Sequence, residues 1–503
     1  MKLISSTFHP LLFAISPILI LFVNNIYMVS AKELIIPLFA SISFAIVLWL
    51  VLKLIIKNSR KSGIITSLFL ILFFSYGHIF ISANGIEILG FDTSTHTHFI
   101  IPFIIIFSAG TFFVLRSKRK LDNATKISNA ISITLVTIAV INIGIFGIDS
   151  LIVTEDSESQ VLSFMKNEIN DYPDIYYIIF DAYANSDTLT NQYGFDNSNF
   201  IDYLKTQDFI IPSQSHGNYP ITILSLSSSL NMQYVNDELT SVDTQQKAHS
   251  NVHNIINNNA VMKNLKEKGY KIISFNSGSW ITNSIRIADW NPCSSNNLNS
   301  EFIGMLVRTT MLYPIHVKLF EHDMRDGINC IFEELPKLRE HTNQPIFVFA
   351  HIMIPHPPYI FGVNGETVDP ESLSLTEGWD NRKGYTDQVQ YTNKKIKNVL
   401  DEMLSDEYSP IIIIQSDHGP RDNIDWENPD DEMYDQVFGI LNVYHLPNGG
   451  NQQIYETISP INSFRVIFNY YFDDNYELLD DKAYFHNPKE HNTFNDVTSN
   501  LQK

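Results

Sequence analysis

The sequence predicts a two-part protein: a module of five membrane-spanning helices, followed by an α/β domain in which a central sheet is flanked by helices. Five long apolar stretches fall within residues 1–153, and none follows them. After that point, short β-branched or aromatic runs alternate with longer amphipathic segments, a pattern typical of α/β layers. The charge changes sign at the same boundary. Residues 1–153 contain 11 Lys+Arg and 5 Asp+Glu, a net of +6, so the total of −20 leaves −26 for the remainder.

Each apolar stretch has about 17–20 residues, the length that a helix needs to cross roughly 30 Å of hydrocarbon. A cleaved signal peptide does not fit the first stretch, because four more follow it. That one or two of the stretches are buried helices remains an alternative, and the fourth is the shortest. The five predicted spans are residues 10–29, 34–52, 64–82, 99–115 and 130–148.

The loops between these spans predict how the module is oriented. The loop at 53–61 holds four Lys or Arg and the loop at 116–126 holds five, whereas the loop at 83–98 holds none. Since short cytoplasmic loops are enriched in Lys and Arg, the N-terminus is predicted to be cytoplasmic. An odd number of spans then delivers everything after about Asp149 to the outer side. We therefore expect a multi-pass cell-membrane protein with an extracytoplasmic catalytic domain.

The remainder of the chain divides into a polar linker at 154–172 and an outer domain at 173–503. The net charge of −26 for residues 154–503 argues against nucleic acid as a partner, because nucleic-acid binders present a basic face. Continuous apolar runs predict strands covered on both faces. The predicted strands are residues 174–180, 271–275, 345–350, 410–415 and 436–443. The predicted helices are residues 199–206, 254–268, 301–320, 327–339, 387–404 and 461–471.

The two cysteines, Cys293 and Cys330, both lie in the predicted outer domain, where oxidation is possible. A disulfide between them is expected. Two buried free thiols are the alternative, because sequence alone does not give their separation in space.

Acidic and histidine residues follow three of the predicted strands, and one of them is His351 after the strand at 345–350. Asp181 ends the first strand, and Asp417-His418-Gly419 follows the strand at 410–415. Ligands of such folds collect outside the carboxyl ends of the strands. A divalent cation accepts mixed oxygen and nitrogen ligands, so these residues are candidates for a metal site. A structural role for Asp181, capping the next helix, is the competing interpretation.

Two further segments carry candidate chemistry. Thr222 lies in the segment at 218–230, close to a predicted helix start with Pro220 in its first turn. Backbone N–H groups at a helix start stabilise an alkoxide or a phosphoryl group. His356 is flanked by prolines, which fix its backbone and suit a residue that must face an anionic group. Taken alone, Thr222 is better explained as an ordinary helix-start residue, and an incidental His in a proline-rich surface turn is the alternative for His356.

In chain order, the motifs are Asp181, the Asn-Tyr-Pro-x-Thr-x-x-Ser-Leu segment, Pro-His-Pro-Pro-Tyr and Ser-Asp-His-Gly. Together they resemble the alkaline phosphatase superfamily, in particular its sulfatase-like membrane branch of lipoteichoic acid synthases and phosphoethanolamine transferases. The resemblance covers roughly residues 173–471, and the five-span anchor also looks like that of the lipoteichoic acid synthases. It implies a role for each matching position: Asp181, Asp417 and His418 as metal ligands, Thr222 as the metal-bound nucleophile, and His356 beside the transferred phosphoryl group. His351 and His216 adjoin these motifs and are weaker candidates for substrate binding. Many members have Glu where Asp181 stands, and both are carboxylates.

The resemblance also implies a cofactor, one divalent ion of Mn, Mg or Zn. No clear ligand set for a second ion is present, although His351 and His356 leave one open. True sulfatases carry a formylglycine made in a Cys/Ser-x-Pro-x-Arg context, which this sequence lacks. Sulfate ester hydrolysis is therefore disfavoured.

The expected function is transfer or hydrolysis of a phosphoryl-linked group, of the phosphoglycerol or phosphoethanolamine type, through a phospho-Thr222 intermediate. Membrane lipids are the expected partners, with a lipid-linked donor and a glycan or lipid acceptor in the cell envelope. One alternative is a phosphodiesterase or phosphatase that acts on soluble substrates. Another is an inactive scaffold for envelope assembly that retains the fold.

Overall fold

The computed structural model divides the chain into two compact units, one of Met1–Lys166 with Ser295–Phe320 and one of Asn167–Ser294 with Glu321–Lys503. We call them the membrane unit and the outer unit. The residues that the structure describes are 6–26, 29, 31–83, 87–88, 91–92, 96–154, 172–240, 252–275, 279, 281–282, 285–293, 301–368, 378–405, 409–487 and 493–501.

Five apolar helices build the membrane unit, as predicted. They are α1 (His9–Asn24), α2 (Ile35–Ile56), α3 (Ser59–Ala83), α4 (His96–Arg116) and α5 (Asp122–Thr154). Four helices in the described part of the chain are long and apolar enough to cross a membrane, whereas α1 has 16 residues. The shortest span is therefore the first and not the fourth. The helix α1 ends before Asn25, well short of the predicted end of the first span at residue 29. In contrast, α4 begins three residues before the predicted start of its span.

Large apolar side chains cover the outside of this unit. Phe39 on α2 is 75% exposed and Phe113 on α4 is 70% exposed. A soluble protein rarely leaves such a continuous apolar surface open to water, whereas lipid is its natural solvent. The exposed faces of these helices therefore agree with the predicted spans.

A segment far along the chain packs with the membrane helices. The predicted helix at 301–320 is in fact two helices, Glu301–Thr309 and Tyr313–Glu334, because the chain turns where Met311 N donates to Phe73 O at 3.0 Å. Phe302 is fully buried in a cluster with side chains of α1 and α3. A Cβ on Gly77 of α3 would lie 1.8 Å from the carbonyl oxygen of Arg308, so only glycine allows this approach. Backbone thus contacts backbone at this point.

The outer unit is organised around a five-stranded sheet. Its strands are β1 (Ile175–Phe180), β2 (Lys271–Ser274), β3 (Ile346–Ile352), β4 (Ile411–Ser416) and β5 (Asn442–His445). They lie in the order β2-β3-β1-β4-β5, with β5 antiparallel to β4 and the others parallel. Alternate residues of β1 enter two different hydrophobic clusters, one on each side of the sheet. The predicted α/β architecture, with helices on both faces, is confirmed.

Helices and short strands complete the two units. Within the outer unit, the described helices are Ser186–Tyr193, Ser198–Thr206, Thr222–Asn231, Asn236–Thr240, 252–257, Ala260–Glu267, Arg382–Met403, Asp431–Phe438, Pro460–Phe472 and Thr498–Leu501. The Tyr313–Glu334 helix enters this unit at Glu321 and continues into a 3-10 helix at Leu335–His341. Further 3-10 turns lie at Ala31–Leu34 and Gly450–Gln453, and two-residue strands pair Glu87–Ile88 with Phe91–Asp92 and Tyr484–Phe485 with Asn495–Asp496.

The predicted strand at 436–443 is wrong in its first half. Residues up to Phe438 belong to the Asp431–Phe438 helix, and the strand begins only at Asn442. The side chain of Asp430 caps the helix by accepting a hydrogen bond from Met433 N. Val437 and Phe438 are apolar because they face the interior from a helical turn.

The expected disulfide is present between Cys293 and Cys330, which lie 37 residues apart in the chain. It ties the segment after β2 to the Tyr313–Glu334 helix. Cys293 also packs against the hydrophobic cluster on one side of the sheet. The bond therefore fastens a loop segment to the core of the outer unit.

Replacing both cysteines by serine should lower the free energy of unfolding of the outer unit by about 3–4 kcal/mol, because the open loop gains conformational entropy in the unfolded chain. Thermal unfolding of the full chain in detergent, with and without reductant, measures the effect. Reductant should lower the melting temperature of the wild type and leave that of the double variant unchanged. Equal melting temperatures for the two oxidised proteins would contradict the prediction.

Candidate active site

Three parallel strands end at the same edge of the sheet and bring the sequence motifs together. Phe180, the last residue of β1, pairs with Ile352 of β3 on one side and with Ser416 of β4 on the other. Asp181 follows β1 directly, and Asp417 and His418 follow β4. Because the strands are parallel and in this register, residues distant in sequence meet at one place.

Asp181, Asp417 and His418 form a buried cluster whose candidate ligand atoms all lie within 4.8 Å of one another. The two carboxylates are 2% and 3% exposed, and His418 is fully buried. Asp181 Oδ1 and Asp417 Oδ2 accept no hydrogen bond from any described residue. A buried carboxylate without a partner is costly, and a divalent cation removes that cost by binding both oxygens. The donor set therefore fits one divalent ion.

His418 is oriented for this role by the backbone of its own turn. Its Nδ1–H donates to the carbonyl oxygen of Gly419 at 2.7 Å, which leaves the lone pair of Nε2 directed at the cluster. Nε2 lies 3.5 Å from Asp181 Oδ1 and 3.5 Å from Asp417 Oδ2. Ser416 supports the turn, since its hydroxyl donates to the carbonyl oxygen of His418 at 2.6 Å.

Gly419 is required by the same turn. Its N–H donates to Val437 O at 2.8 Å, and a Cβ at this position would lie 1.9 Å from the carbonyl oxygen of Gln436. The backbone after β4 therefore runs directly against the Asp431–Phe438 helix. The glycine of the Asp-His-Gly motif serves this close approach, which in turn fixes His418.

Thr222 is the first residue of the Thr222–Asn231 helix, and Ile221 before it is extended. Pro220 therefore precedes the helix and does not occupy its first turn, contrary to prediction. The Thr222 hydroxyl lies 3.2 Å from His418 Nε2, and the residue is 8% exposed. The positive end of the helix dipole and the carboxylate cluster thus meet at this oxygen.

His356 is buried beside the cluster and does not lie in a surface turn. Its backbone N–H donates to the carbonyl oxygen of Asp181 at 3.1 Å, and its ring centroid lies 6.3 Å from that of His418. The ring packs edge-on against Trp379 with 4.6 Å between centroids. Its Nδ1–H donates to Pro357 O at 2.6 Å, so Nε2 is the nitrogen available to a substrate.

The two weaker candidates differ in position. On β3, His351 places Nε2 3.4 Å from Asp181 Oδ2 and Nδ1 2.7 Å from the hydroxyl of Thr282, so it contacts a candidate ligand. His216 Nδ1 lies 3.1 Å from the carbonyl oxygen of the next residue, Gly217. No contact among the described residues joins His216 to the cluster. The structure thus brings His351 to the site but not His216.

Arg421 is the residue that sequence reasoning missed. Its Nη2 lies 2.6 Å from His418 Nε2, and its Nε is buried with no hydrogen-bond partner among the described residues. Arg421 stands three residues after His418 in a domain of strongly negative net charge. An arginine two residues after the Asp-His-Gly motif was the available signal.

Burial and close neighbours shift the pKa values of these groups in opposite directions. Burial, reinforced by the charge of Asp181, raises the pKa of Asp417 to about 6. Burial would raise the pKa of Asp181 as well, but the nearby rings of His356, His351 and His418 outweigh it and hold that pKa below its ordinary range. Burial, with Arg421 second, lowers the pKa of His418 to about 3, so this imidazole is neutral at physiological pH.

The affinity for a divalent cation should depend on the protonation of Asp417. Above about pH 6 this carboxyl is ionised and free to bind, whereas below that pH a proton competes with the cation. We expect the apparent affinity for Mn²⁺ to fall by about tenfold per pH unit below pH 6 and to stay nearly constant from pH 7 to 8. Calorimetric titration at several pH values measures it. A flat profile between pH 4.5 and 7 would contradict the assignment.

Substituting Gly419→Ala should displace the turn that orients His418, because the added Cβ meets backbone and not a movable side chain. Overpacking of this kind costs about 1–3 kcal/mol of stability, and the cation affinity should fall as well. Gly327→Ala is the matched control, since a Cβ there meets nothing within 4 Å. Melting temperature and Mn²⁺ titration of both variants test the prediction, which fails if the two behave alike.

The family model described as Sulfatase matches residues 173–494. A search of curated proteins finds no match at the sequence level.

Among solved structures, the zinc complex of the C-terminal periplasmic domain of EptC from Escherichia coli has 13% identity and a TM-score of 0.44, covering 66% of this chain and 94% of that one. The same domain of phosphoethanolamine transferase EptC from Campylobacter jejuni has 16% identity and a TM-score of 0.37, covering 62% and 93%. The integral membrane lipooligosaccharide phosphoethanolamine transferase A from Neisseria meningitidis has 11% identity and a TM-score of 0.39, covering 90% and 94%.

The family model spans more than half of the 503 residues and contains every residue of the cluster. It confirms the predicted sulfatase-like domain. The chain belongs to the sulfatase family.

Proposed function

We propose that the chain is a membrane-anchored phosphotransferase. It moves a phosphoryl-linked group, of the phosphoethanolamine or phosphoglycerol type, from a lipid-linked donor to a glycan or lipid acceptor of the cell envelope. The observation that carries the proposal is the Thr222 hydroxyl, which starts a helix and lies 3.2 Å from His418 Nε2 at the edge of the buried cluster. A nucleophile, a helix N-terminus and a cation site converge on one oxygen.

The nucleophile supports phosphoryl over sulfuryl chemistry. A formylglycine is made from Cys or Ser, and the residue at this position is Thr222. Attack by its Oγ on phosphorus forms a phosphodiester to Thr222 and breaks the bond to the donor's alcohol oxygen. The Thr222 proton is lost and the departing alcohol gains one. In the second half, an acceptor hydroxyl attacks the same phosphorus, loses its proton, and Thr222 recovers its hydroxyl.

The other side chains have separate roles in this scheme. Asp181, Asp417 and His418 would hold the divalent ion, which lowers the pKa of a bound hydroxyl and neutralises phosphoryl charge. Burial lowers the pKa of His356, so its ring is neutral, and its Nδ1–H is committed to Pro357 O. His356 Nε2 is therefore suited to relay a proton between the entering and leaving hydroxyls.

The anchor supports a lipid donor over a soluble substrate. The chain devotes five apolar helices to the membrane unit, far more than a simple tether needs. A donor already embedded in the bilayer is presented to an anchored enzyme at high effective concentration. A phosphodiesterase acting on soluble substrates would gain nothing from this arrangement.

Substituting Thr222→Ala in the full-length protein should reduce turnover of a labelled phospholipid donor by about a thousandfold or more, because no covalent intermediate forms. Thr222→Ser should keep part of the activity. Ser228→Ala is the matched control, since Ser228 is buried in the same helix and its hydroxyl has no described partner. Mass spectrometry of the wild type should find the phosphoryl adduct on Thr222. Full activity of Thr222→Ala would overturn the mechanism.

Product analysis separates the remaining alternatives. A transferase yields a modified acceptor, and a phosphodiesterase yields only the hydrolysed headgroup whether or not an acceptor is present. A scaffold yields neither, and has no need of a stoichiometric metal ion in the purified protein.

A further inference from the structure

We propose that Arg421 has two alternating positions in this site. In the first position, without a divalent ion, its guanidinium donates a hydrogen bond to the lone pair of His418 Nε2. In the second position, with the ion bound to that nitrogen, the guanidinium binds the phosphoryl oxygens at Thr222. The second position rests on the proposed function, whereas the first does not.

The first position follows from the hydrogen bonds of His418. Its Nδ1–H is engaged by Gly419 O, so Nε2 carries the only free lone pair of the ring. The Nη2 of Arg421 lies 2.6 Å from that Nε2 and donates to it. A lone pair in a short hydrogen bond cannot at the same time bind a metal. Arg421 and a divalent ion therefore exclude one another at this atom.

Charge gives the reason for the arrangement. Two buried carboxylates, Asp181 and Asp417, stand beside His418 with one oxygen each lacking a hydrogen bond. A guanidinium is always charged and partly offsets them while no ion is bound. Among the described residues, Arg421 is the only Lys or Arg that contacts a member of the cluster. When a doubly charged ion replaces it, like charges repel and the side chain must turn away.

The backbone limits where the side chain can go. Gly419 is fixed by its contact with Gln436, and the Pro420 ring restricts the next backbone dihedral. Arg421 therefore changes position through its side chain and stays within reach of its present neighbours. One of these is the Thr222 hydroxyl, which lies 3.2 Å from the same His418 nitrogen.

A phosphoryl group on Thr222 would supply hydrogen-bond acceptors for the guanidinium of Arg421. Its oxygens accept two parallel N–H bonds from the planar guanidinium, the geometry that arginine binds best. The Nε of Arg421 is buried and has no described partner, so it is free to contribute one of them. Arg382, on a neighbouring helix, is not available in this way because it pairs with Asp422 at 2.7 Å. Arg421 is thus available to bind the phosphoryl group once that group is attached to Thr222.

The test uses three full-length variants in detergent: R421Q, R421K and the control R286Q, which removes an exposed arginine of the same outer unit. The first readout is the affinity for Mn²⁺ alone, measured by calorimetry. R421Q should bind Mn²⁺ about tenfold more tightly, because no hydrogen bond from a charged donor has to be broken first. R421K should return towards the wild-type value, and R286Q should match the wild type. Unchanged or weaker binding by R421Q overturns the first position.

The second readout is turnover of the phospholipid donor at saturating Mn²⁺. R421Q should lose about 100-fold in kcat/KM, and R421K should not recover it, because an ammonium group cannot form the two parallel bonds. The lysine variant thus restores the first property and not the second, a pattern that a purely structural role would not give. Turnover of R421Q equal to that of the wild type overturns the second position.

Misfolding and failure of the proposed function are both distinguishable from failure of this inference. A 1:1 Mn²⁺ stoichiometry and a wild-type melting temperature show that R421Q is folded, and R421K supplies the same measurements if R421Q is not. Full activity of Thr222→Ala would remove the proposed function and with it the second position. The Mn²⁺ affinities of R421Q and R286Q would still decide the first.

Discussion

The site depends on one electrostatic constraint, the enclosure of two carboxylates at the carboxyl edge of a parallel sheet. Asp181 and Asp417 follow adjacent strands, and neither chain segment can retreat towards water without breaking the ladder that it ends. Each charge must therefore be met locally, by a cation or by donors from the protein. The neighbouring histidines, the arginine and the helix start are the means by which the fold does this. Without the two carboxylates, these groups would have no buried negative charge to neutralise.

Main-chain carbonyl oxygens set the direction of the imidazoles. His418 and His356 each donate Nδ1–H to the carbonyl oxygen of the residue that follows, Gly419 and Pro357 respectively. Each ring therefore turns its Nε2 lone pair away from its own loop. This device needs no partner side chain. It makes the tautomer of both rings a property of the local backbone.

The sequence predicted most of the fold because its strongest signals are local. Apolar length located five membrane helices, and continuous apolar runs such as Ile411–Ile414 located the parallel strands. It failed where an apolar run has two interpretations. Val437 and Phe438 suit a strand as well as a helix, and only the cap at Asp430 decides between them. The two-helix character of the segment at 301–320 was hidden for a similar reason, since its turn is stabilised by a hydrogen bond to a distant helix.

The site was partly visible from sequence for a different reason. Asp181, Asp417 and His418 follow strands, so the parallel topology alone predicts that they meet. His351 follows the predicted strand at 345–350, so the same argument extends to it, whereas His216 only adjoins the segment of Thr222. Only the register of β3 and β1 puts His351 against Asp181. Arg421 escaped notice because an arginine in a polar loop is ordinary, and its significance lies in a single contact.

The close approach of Arg308 to Gly77 has a practical consequence for anyone who divides this protein. The segment Ser295–Phe320 lies between two stretches of the outer unit in the chain but belongs to the membrane unit. A soluble fragment beginning at Asn167 would carry this segment without the helices that cover it, exposing Phe302 and Leu306 to water. Such a fragment would be prone to self-association through a surface that the intact protein never presents. Removing the anchor cleanly therefore requires two deletions in the gene, one of the N-terminal helices and one of this internal segment.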